Sequence, residues 1–316
     1  MWEMNQFELV KNIVYLGLAI LLFRLFITFC SMFLKNLIDS GDSSMVDVSN
    51  GTFYPVSYWT EKGGRPYQED RVACLPGKME IDSSLYAVYD GHGGAKAAQF
   101  CKDKLLKYVV EDICFQEDSS RALTNAFHRT ENEFLEIARR FNLMDGSTAV
   151  VSLIHNRKVT VANAGDSRCI IVQRHGKVKA MSIDHKPCRE DEEKRIRALG
   201  GRVVFWGRWR VEGVLAVSRA IGDLSLKPYV SCDPELITKT LDEDDLYMVL
   251  ASDGLWDVMR NEEVSKFVLS CPDFASMGRD LCHEATLIGS TDNITVLVID
   301  LKKRAVSASV VSSTKN

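Results

Sequence analysis

Residues 86–94 read Tyr-Ala-Val-Tyr-Asp-Gly-His-Gly-Gly, an apolar run that passes directly into a carboxylate, an imidazole and three glycines. The stretch Leu85–Tyr89 is rich in aromatic and β-branched residues and is followed by turn-forming residues, which predicts a short buried strand. The glycines allow other groups to approach the backbone closely. A similar pattern recurs where Leu246–Ala251 runs into Ser-Asp-Gly-Leu-Trp-Asp. The sequence therefore predicts strands whose ends carry carboxylates.

The rest of the pattern mixes strands and helices. Strands that follow one another over 148–173 are joined by loops too short for crossover helices, which favours antiparallel hairpins over a doubly wound parallel sheet. Apolar residues at alternating steps of four and three predict an amphipathic helix over Ser120–Phe141, and a shorter stripe marks another over Ala98–Tyr108. We expect an α+β fold in which helices cover antiparallel sheets. The further predicted strands are Thr148–Ile154, Lys158–Ala162, Cys169–Gln173 and Ile294–Leu301.

Composition excludes several classes of protein. The 316 residues are 46% hydrophobic and 26% charged, which is ordinary for a globular protein and excludes a collagenous or mainly disordered chain. A net charge of −4 provides no global attraction to nucleic acid. The nine cysteines are odd in number and contain no C-x-x-C pair, so neither a disulfide framework nor a zinc site is expected. Reduced thiols are typical of a domain that faces the cytosol.

The N-terminal region differs from the rest of the chain. Residues 13–34 contain 14 Leu, Ile, Val or Phe residues and a single charge, Arg24. On the insertion scale these apolar residues contribute roughly −4 to −8 kcal/mol, against about +2.5 to +3.5 kcal/mol for a central arginine. A single membrane-spanning helix is therefore expected. A signal peptide, a mitochondrial presequence and an interfacial helix remain alternatives, although no small-x-small cleavage site follows and Glu3 and Glu8 are unusual in a presequence.

These features suggest three segments. We expect a membrane anchor and linker at 1–45, with the helix at about 13–34, a catalytic domain at 46–305 and a disordered tail at 306–316. A helix is also expected from Arg189 to the stop at Gly200-Gly201, with Lys194–Arg197 on its solvated face.

Carboxylates at strand ends predict a metal site. Each one alone is more typical of a turn. Several together repel one another unless they are protonated or bridged by cations, and hard oxygen ligands without a histidine or cysteine set indicate Mg²⁺ or Mn²⁺. Arg65 lies four residues before the acidic pair Glu69-Asp70, which places a cation in the same region.

The motifs of this chain, and the order in which they follow one another, resemble those of the metal-dependent protein phosphatases of the type 2C class. The resemblance covers residues 52–302, and the membrane segment ahead of it is similar to the architecture of the family's single-pass members of the endoplasmic reticulum. It implies a β-sandwich of two antiparallel sheets flanked on both faces by helices (α-β-β-α). The motifs are Gly64-Arg65 with Glu69-Asp70, Tyr89-Asp90-Gly91-His92-Gly93-Gly94, Gly146-Ser147-Thr148-Ala149, Ala164-Gly165-Asp166-Ser167-Arg168, Asp184-His185-Lys186-Pro187, Val217-Ser218-Arg219-Ala220-Ile221-Gly222-Asp223, Ser252-Asp253-Gly254-Leu255-Trp256-Asp257 and Asp292-Asn293.

The resemblance also implies a ligand set for two Mg²⁺ or Mn²⁺ ions and a weaker third. Asp90 would bridge two ions and the Gly91 carbonyl would bind one of them. Asp253 and Asp292 would complete the second ion's ligands. Glu69 and Asp70 would bind a metal-bound water or a metal directly. Asp166, Asp253 and Asp257 would form the third, weaker site.

The implied activity is hydrolysis of phosphoserine and phosphothreonine by a metal-bridged hydroxide, without a phosphoenzyme. Arg65 would bind the phosphate through its planar fork, and His92 would protonate the leaving oxygen as general acid. Simpler interpretations stay open, namely an Arg65–Glu69 surface ion pair and a structural His92 that caps the glycine-rich turn.

Two other functions are compatible with the expected fold and site. One is a catalytically inactive scaffold, disfavoured because every expected carboxylate is retained, and the other is a hydrolase of small phosphoesters. We expect phosphoprotein substrates, a membrane contact through the N-terminal helix, a monomeric catalytic domain facing the cytosol and no nucleic-acid partner. The aromatic and basic stretch Trp206–Arg210 is interpreted as a flap beside the active site. The endoplasmic reticulum is the expected membrane, with the mitochondrion as the alternative.

Overall fold

The computed structural model describes residues 54–75 and 83–302. Its helices are α1 (Lys96–Glu111), α2 (Ser119–Phe141), α3 (Glu190–Ala198), α4 (Asp253–Trp256), α5 (Asn261–Ser270) and α6 (Met277–Ile288). Its strands are β1 (Val56–Glu61), β2 (Arg71–Leu75), β3 (Ser83–Tyr89), β4 (Gly91–His92), β5 (Gly146–Ser147), β6 (Ala149–His155), β7 (Lys158–Ala164), β8 (Arg168–Gln173), β9 (Val178–Ala180), β10 (Val203–Trp206), β11 (Arg208–Val211), β12 (Ile221–Gly222), β13 (Glu235–Thr240), β14 (Asp245–Ala251) and β15 (Ile294–Asp300).

Two five-stranded antiparallel sheets form the centre of the domain. Their strand orders are β1-β15-β14-β8-β9 and β13-β7-β6-β3-β2. Apolar side chains from both sheets, among them Tyr86 and Val150 from one and Met248 and Leu297 from the other, form a buried layer between them. The sheets therefore pack face to face.

Helices cover the outer face of each sheet. Leu105 of α1 and Phe127 of α2 pack on Leu85 and Val151 of one sheet. On the other sheet, α5 and α6 contribute a second apolar cluster that includes Val264 and Leu281. This arrangement confirms the expected α-β-β-α sandwich.

Strand β3 illustrates why the central strands are continuously apolar. Alternate side chains of a strand point to opposite faces. Leu85, Ala87 and Tyr89 face the helices, whereas Tyr86 and Val88 face the other sheet. Because both faces are buried, no polar alternation is left in the sequence.

One predicted connection is wrong. Strands β6 and β7 pair as the expected antiparallel hairpin, but β8 pairs with β14 and β9 in the opposite sheet. The chain crosses between the sheets at Gly165, whose φ of +124° suits glycine, and a Cβ there would lie 2.5 Å from Thr148 Cβ. The short loop therefore joins sheets instead of neighbouring strands.

Helix α3 matches the prediction in extent, but only part of its basic stretch is solvated. Lys194 and Arg197 are exposed and pair with Glu190 and Glu193 at i,i+4 spacing. Arg195 instead turns inward and donates to two backbone carbonyl oxygens.

The predicted anchor helix at about 13–34 and the tail at 306–316 lie outside the described residues. Within residues 54–75 and 83–302, no helix combines the length and apolar character needed to cross a bilayer. The eight cysteines among those residues are free thiols, as expected.

Candidate active site

Three carboxylates meet where three strands end. Asp90 follows β3, Asp166 follows β7 after Gly165, and Asp253 follows β14 after Ser252. One carboxylate oxygen of each lies within 4.8 Å of the others. Three strand ends that are far apart in sequence therefore bring hard oxygen donors to one point.

The negatively charged carboxylates of this cluster repel one another. Burial, and then repulsion from Asp70 and Asp253, raises the pKa of Asp90 well above its ordinary value. Burial, and then Asp166 and Asp257, raises the pKa of Asp253 to about 8. A bound cation would relieve this repulsion.

Asp70 lies buried beside this cluster, and its pKa is raised to about 6, mainly by burial. Its Oδ2 accepts a hydrogen bond of 2.7 Å from Ser252 Oγ. Its Oδ1 is buried without a hydrogen-bond partner among the described residues. Hard oxygens with unmet charge fit Mg²⁺ or Mn²⁺, so the donor set agrees with the metal inferred from the sequence.

Asp292 enters the site from the loop before β15. Arg65 Nη2 lies 2.5 Å from Asp292 Oδ2, so Arg65 pairs with Asp292 and the alternative pair with Glu69 is not observed. Asn293 ties the two loops together, because its Oδ1 accepts from the Glu69 amide at 2.8 Å. Gly63 allows this close approach, since a Cβ there would lie 2.0 Å from the Asp292 carbonyl oxygen.

These groups line a cavity of about 480 Å³. Two predicted ligands do not line it, because Asp70 is buried and Asp257 lines an adjoining cavity of about 410 Å³. The predicted residues on the walls of the larger cavity are Arg65, Glu69, Asp90, Gly91, His92, Asp166, Asp253 and Asp292.

His92 contributes an imidazole to the cavity wall. Its Nε2 lies 2.8 Å from Asp223 Oδ2, and its side chain is 25% exposed. Burial opposes the charged imidazolium, but Asp223 outweighs burial and raises the pKa of His92.

The sequence did not identify the partners of the predicted residues. Lys186 Nζ lies 2.5 Å from Asp166 Oδ2, and Arg208 Nη2 lies 2.9 Å from Asp257 Oδ2. Lys186 and Asp223 belong to motifs quoted above, so the sequence marked their segments. Nothing local indicated which carboxylate or imidazole they would meet.

Strands β10 and β11 form a separate two-stranded hairpin at the cavity. Arg208 and Arg210 alternate along β11 and both line the 480 Å³ cavity. Phe205 and Trp209 are 60% and 43% exposed and line the adjoining cavity. The predicted flap is therefore placed beside the site, with basic and aromatic side chains at its edge.

An α-β-β-α sandwich with an acidic cluster and an arginine at one edge defines the class of the metal-dependent phosphatases. A family model described as protein phosphatase 2C matches residues 60–294. This chain belongs to the protein phosphatase 2C family, whose members are serine/threonine phosphatases that use Mg²⁺ or Mn²⁺.

Individual relatives agree with this membership. A probable protein phosphatase 2C 69 of Arabidopsis thaliana is 40% identical over 272 residues, covering 84% of this chain and 75% of the relative. A probable protein phosphatase 2C member 13, mitochondrial, of Oryza sativa subsp. japonica is 43% identical over 223 residues, covering 70% of this chain and 61% of the relative. The solved structure of a C. elegans sex-determining protein superposes with a TM-score of 0.74 at 27% identity, covering 80% of this chain and 66% of that one.

Proposed function

We propose that this phosphatase hydrolyses phosphoserine and phosphothreonine in proteins with two Mg²⁺ or Mn²⁺ ions and a weaker third, without a phosphoenzyme. The observation that carries the proposal is the meeting of Asp90, Asp166 and Asp253 within 4.8 Å, in one cavity with Arg65 and His92. An inactive scaffold would have no need to retain so costly a cluster of buried carboxylates.

The ligand set is proposed as the resemblance to the family implies it. Asp90, the Gly91 carbonyl, Asp253 and Asp292 would hold the two ions, with Glu69 and Asp70 beside them. Asp166, Asp253 and Asp257 would hold the third. When bound, the ions would supply a nucleophile derived from water at neutral pH and neutralise charge on the phosphate.

Arg65 would bind the substrate phosphate. Its side chain is 56% exposed at the cavity, so a phosphate can reach the guanidinium. The planar fork offers two parallel N–H groups to two phosphate oxygens. Arg65 would therefore orient the phosphorus for attack from one side.

His92 would act as general acid. Serine and threonine leave as strongly basic alkoxides, so protonation of the leaving oxygen lowers the barrier. The raised pKa of His92 keeps the imidazole protonated closer to neutral pH. This role is supported by the position of His92 on the wall of the cavity that Arg65 also lines.

The full chain tests this function with a phosphothreonine peptide, in Mn²⁺ or Mg²⁺ and then in excess EDTA. We expect phosphate release with either metal, none in EDTA, and a loss of at least about 10²-fold in Asp253→Asn. A folded wild-type chain that releases no phosphate with either metal would favour the scaffold. Faster turnover of small phosphoesters than of phosphopeptides, compared as kcat/KM, would favour the small-molecule hydrolase.

The flap is proposed to contact the polypeptide around the phosphoresidue. The two cavities share Arg208 and Ala216, so a chain bound at the phosphate site can continue along Phe205 and Trp209. Exposed aromatic rings beside a catalytic cavity provide binding area for apolar side chains at low entropic cost.

Tethering to a membrane is proposed from the sequence alone. Residues 1–45 would anchor the chain through the apolar segment at 13–34, with the catalytic domain at 46–305 facing the cytosol and the tail at 306–316 free. The endoplasmic reticulum is the proposed location. The mitochondrion is the alternative, and one rice relative carries that word in its name.

A further inference from the structure

The buried carboxylate of Asp223, which is not one of the predicted metal ligands, contacts the imidazole of His92. Asp223 is 5% exposed, and its two oxygens lie 3.0 and 2.8 Å from His92 Nε2. Among the residues that the structure describes, His92 is the only hydrogen-bond partner of this carboxylate. Because a buried carboxylate is costly without a donor, the pair holds the imidazole in one place.

The three-stranded sheet β4-β5-β12 builds this pair. His92 lies opposite Gly146 on one side, and Gly222, which precedes Asp223, lies opposite Gly146 on the other. A Cβ at Gly146 would lie 2.1 Å from Asp223 Oδ2 and 2.3 Å from His92 Nε2. The His92 ring and the Asp223 carboxylate therefore meet in the space that a side chain at position 146 would fill.

The backbone around Asp223 is fixed independently of the predicted metal ligands. Its φ of 51° is left-handed, a conformation that aspartate, asparagine and glycine tolerate best. The preceding Gly222 amide donates to Glu131 Oε2 at 2.7 Å, and Lys227 Nζ lies 2.5 Å from Glu131 Oε1. Helix α2 thus holds the segment that carries the carboxylate.

This geometry distinguishes the two nitrogens of His92. Nε2 donates to Asp223 and is therefore already occupied by a hydrogen bond. Nδ1 has no hydrogen-bond partner within residues 54–75 and 83–302, and the ring lines the cavity. Nδ1 is therefore the nitrogen available to a substrate.

We infer that Asp223 is a positioning residue for phosphoester hydrolysis, which holds His92 through Nε2 so that Nδ1 delivers the proton to the leaving oxygen. The inference rests on the proposed function. A water oxygen bonds to phosphorus as the bond to the serine or threonine oxygen breaks, and that oxygen takes the proton from Nδ1. The products are the alcohol and inorganic phosphate, the imidazole is left neutral with hydrogen on Nε2, and a proton from the attacking water restores it.

Two substrates that differ in their leaving groups test this role in the full chain with Mn²⁺. A phosphothreonine peptide needs a proton on its leaving oxygen, whereas p-nitrophenyl phosphate releases a stable phenolate. Asp223→Asn keeps the size and tolerates the left-handed backbone. We expect its kcat to fall about 10²-fold on the peptide and less than about threefold on p-nitrophenyl phosphate.

An equal fall on both substrates would overturn the inference, because a purely structural role affects both alike. The matched control is Asp145→Asn, since Asp145 is also buried, adjoins Gly146 and accepts from the Lys96 amide at 2.8 Å at the start of α1. This control should change both rates by the same factor.

A second comparison uses His92→Ala as background. There, Asp223→Asn should cause no further loss on the peptide, and a further tenfold loss would show a role that does not pass through His92. If Asp223→Asn does not fold, Asp223→Gly accepts the same backbone and replaces it. A wild-type chain inactive on both substrates would instead refute the proposed function.

Discussion

At the scale of single residues, Asp253 is a proposed metal ligand whose buried charge destabilises the metal-free fold. Burial and two neighbouring carboxylates raise its pKa from 3.8 to about 8. A carboxyl with a raised folded pKa destabilises the fold increasingly as pH rises above its unfolded value, because the unfolded state ionises more readily. Without metal, Asp253 therefore weakens the domain at neutral pH.

Asp253→Asn should accordingly be more stable than the wild type in EDTA, by up to about 5 kcal/mol at pH 7.5. The difference should vanish below about pH 4, where both states of the wild type bind the proton. Excess Mn²⁺ should reverse the order, since the wild type alone keeps the full ligand set. Urea unfolding in EDTA and in Mn²⁺ measures this, and a wild type more stable than the variant in EDTA would contradict it.

The hydrogen-bond and ion-pair partners of the site residues were harder to predict than which residues lie in the cavity. The position of Asp90 and Asp253 after apolar strands marked both as candidates, because a strand that ends in Asp-Gly exposes a carboxylate at a sheet edge. The pairs Arg65–Asp292 and His92–Asp223 join residues 227 and 131 positions apart. Such contacts depend on which strand ends become neighbours, and local sequence does not contain that information.

At the scale of elements, a buried carboxylate contributes to holding α3 on the domain. Glu192 is 1% exposed and accepts hydrogen bonds from Arg195 and Arg219, the closest at 2.6 Å. Burial opposes its ionisation, but the two guanidinium groups outweigh burial and lower its pKa to about 2. This carboxylate therefore contributes stability above pH 4.5, which is lost as pH falls towards 2.

Glu192→Gln should lower the free energy of unfolding by about 3 kcal/mol at pH 7, because two half-buried arginines lose their buried counter-charge. The variant should also lose part of the pH dependence between about 4.5 and 2. Thermal or urea unfolding as a function of pH provides the measurement. Glu190→Gln is the control, since that exposed side chain pairs with exposed Lys194 alone among the described residues and its loss should change stability little. Similar losses in the two variants would argue against the ion-pair explanation.

The hairpin β10–β11 should affect substrate binding without affecting stability. Phe205 and Trp209 contact each other at a ring distance of 5.3 Å and are both exposed, so replacing them with serine leaves no core cavity. We expect the double variant to raise KM about tenfold for a phosphopeptide with an apolar residue beside the phosphothreonine, with p-nitrophenyl phosphate unchanged. Leu287→Ser, an exposed apolar position on α6, is the control. An unchanged peptide KM would exclude the flap from substrate contact.

Element types were predictable where periodicity was strong, but their connections were not. The stripe over Ser120–Phe141 indicated α2 to within one residue, because a long amphipathic face repeats the same signal. Strands β7 and β8 lie only three residues apart yet belong to different sheets. Both are buried on two faces, so neither sequence records which sheet it joins.

At the scale of the whole molecule, two packed sheets explain how distant motifs form one site. Asp166 follows a strand of one sheet and Asp253 a strand of the other, while Asp292 precedes β15. Only the face-to-face packing of the sheets brings these loops to the same edge. A substitution in the buried layer, far from any ligand, would therefore disturb metal binding through the relative position of the sheets.

The remaining whole-molecule prediction concerns the segment at 13–34. Its 14 large aliphatic and phenylalanine residues favour insertion by roughly 4 to 8 kcal/mol against about 3 kcal/mol for Arg24. The full chain should resist carbonate extraction from cell membranes, whereas a chain starting at residue 46 should be released with the same kcat on a phosphopeptide. Replacing Leu21 and Leu22 with arginine adds about 6 kcal/mol and should release the full chain, while alanine at both positions should not. Release of the unaltered full chain by carbonate would show that the segment is peripheral or cleaved and does not span the membrane. If the full chain is retained, fractionation of endoplasmic reticulum and mitochondria identifies the membrane that holds it.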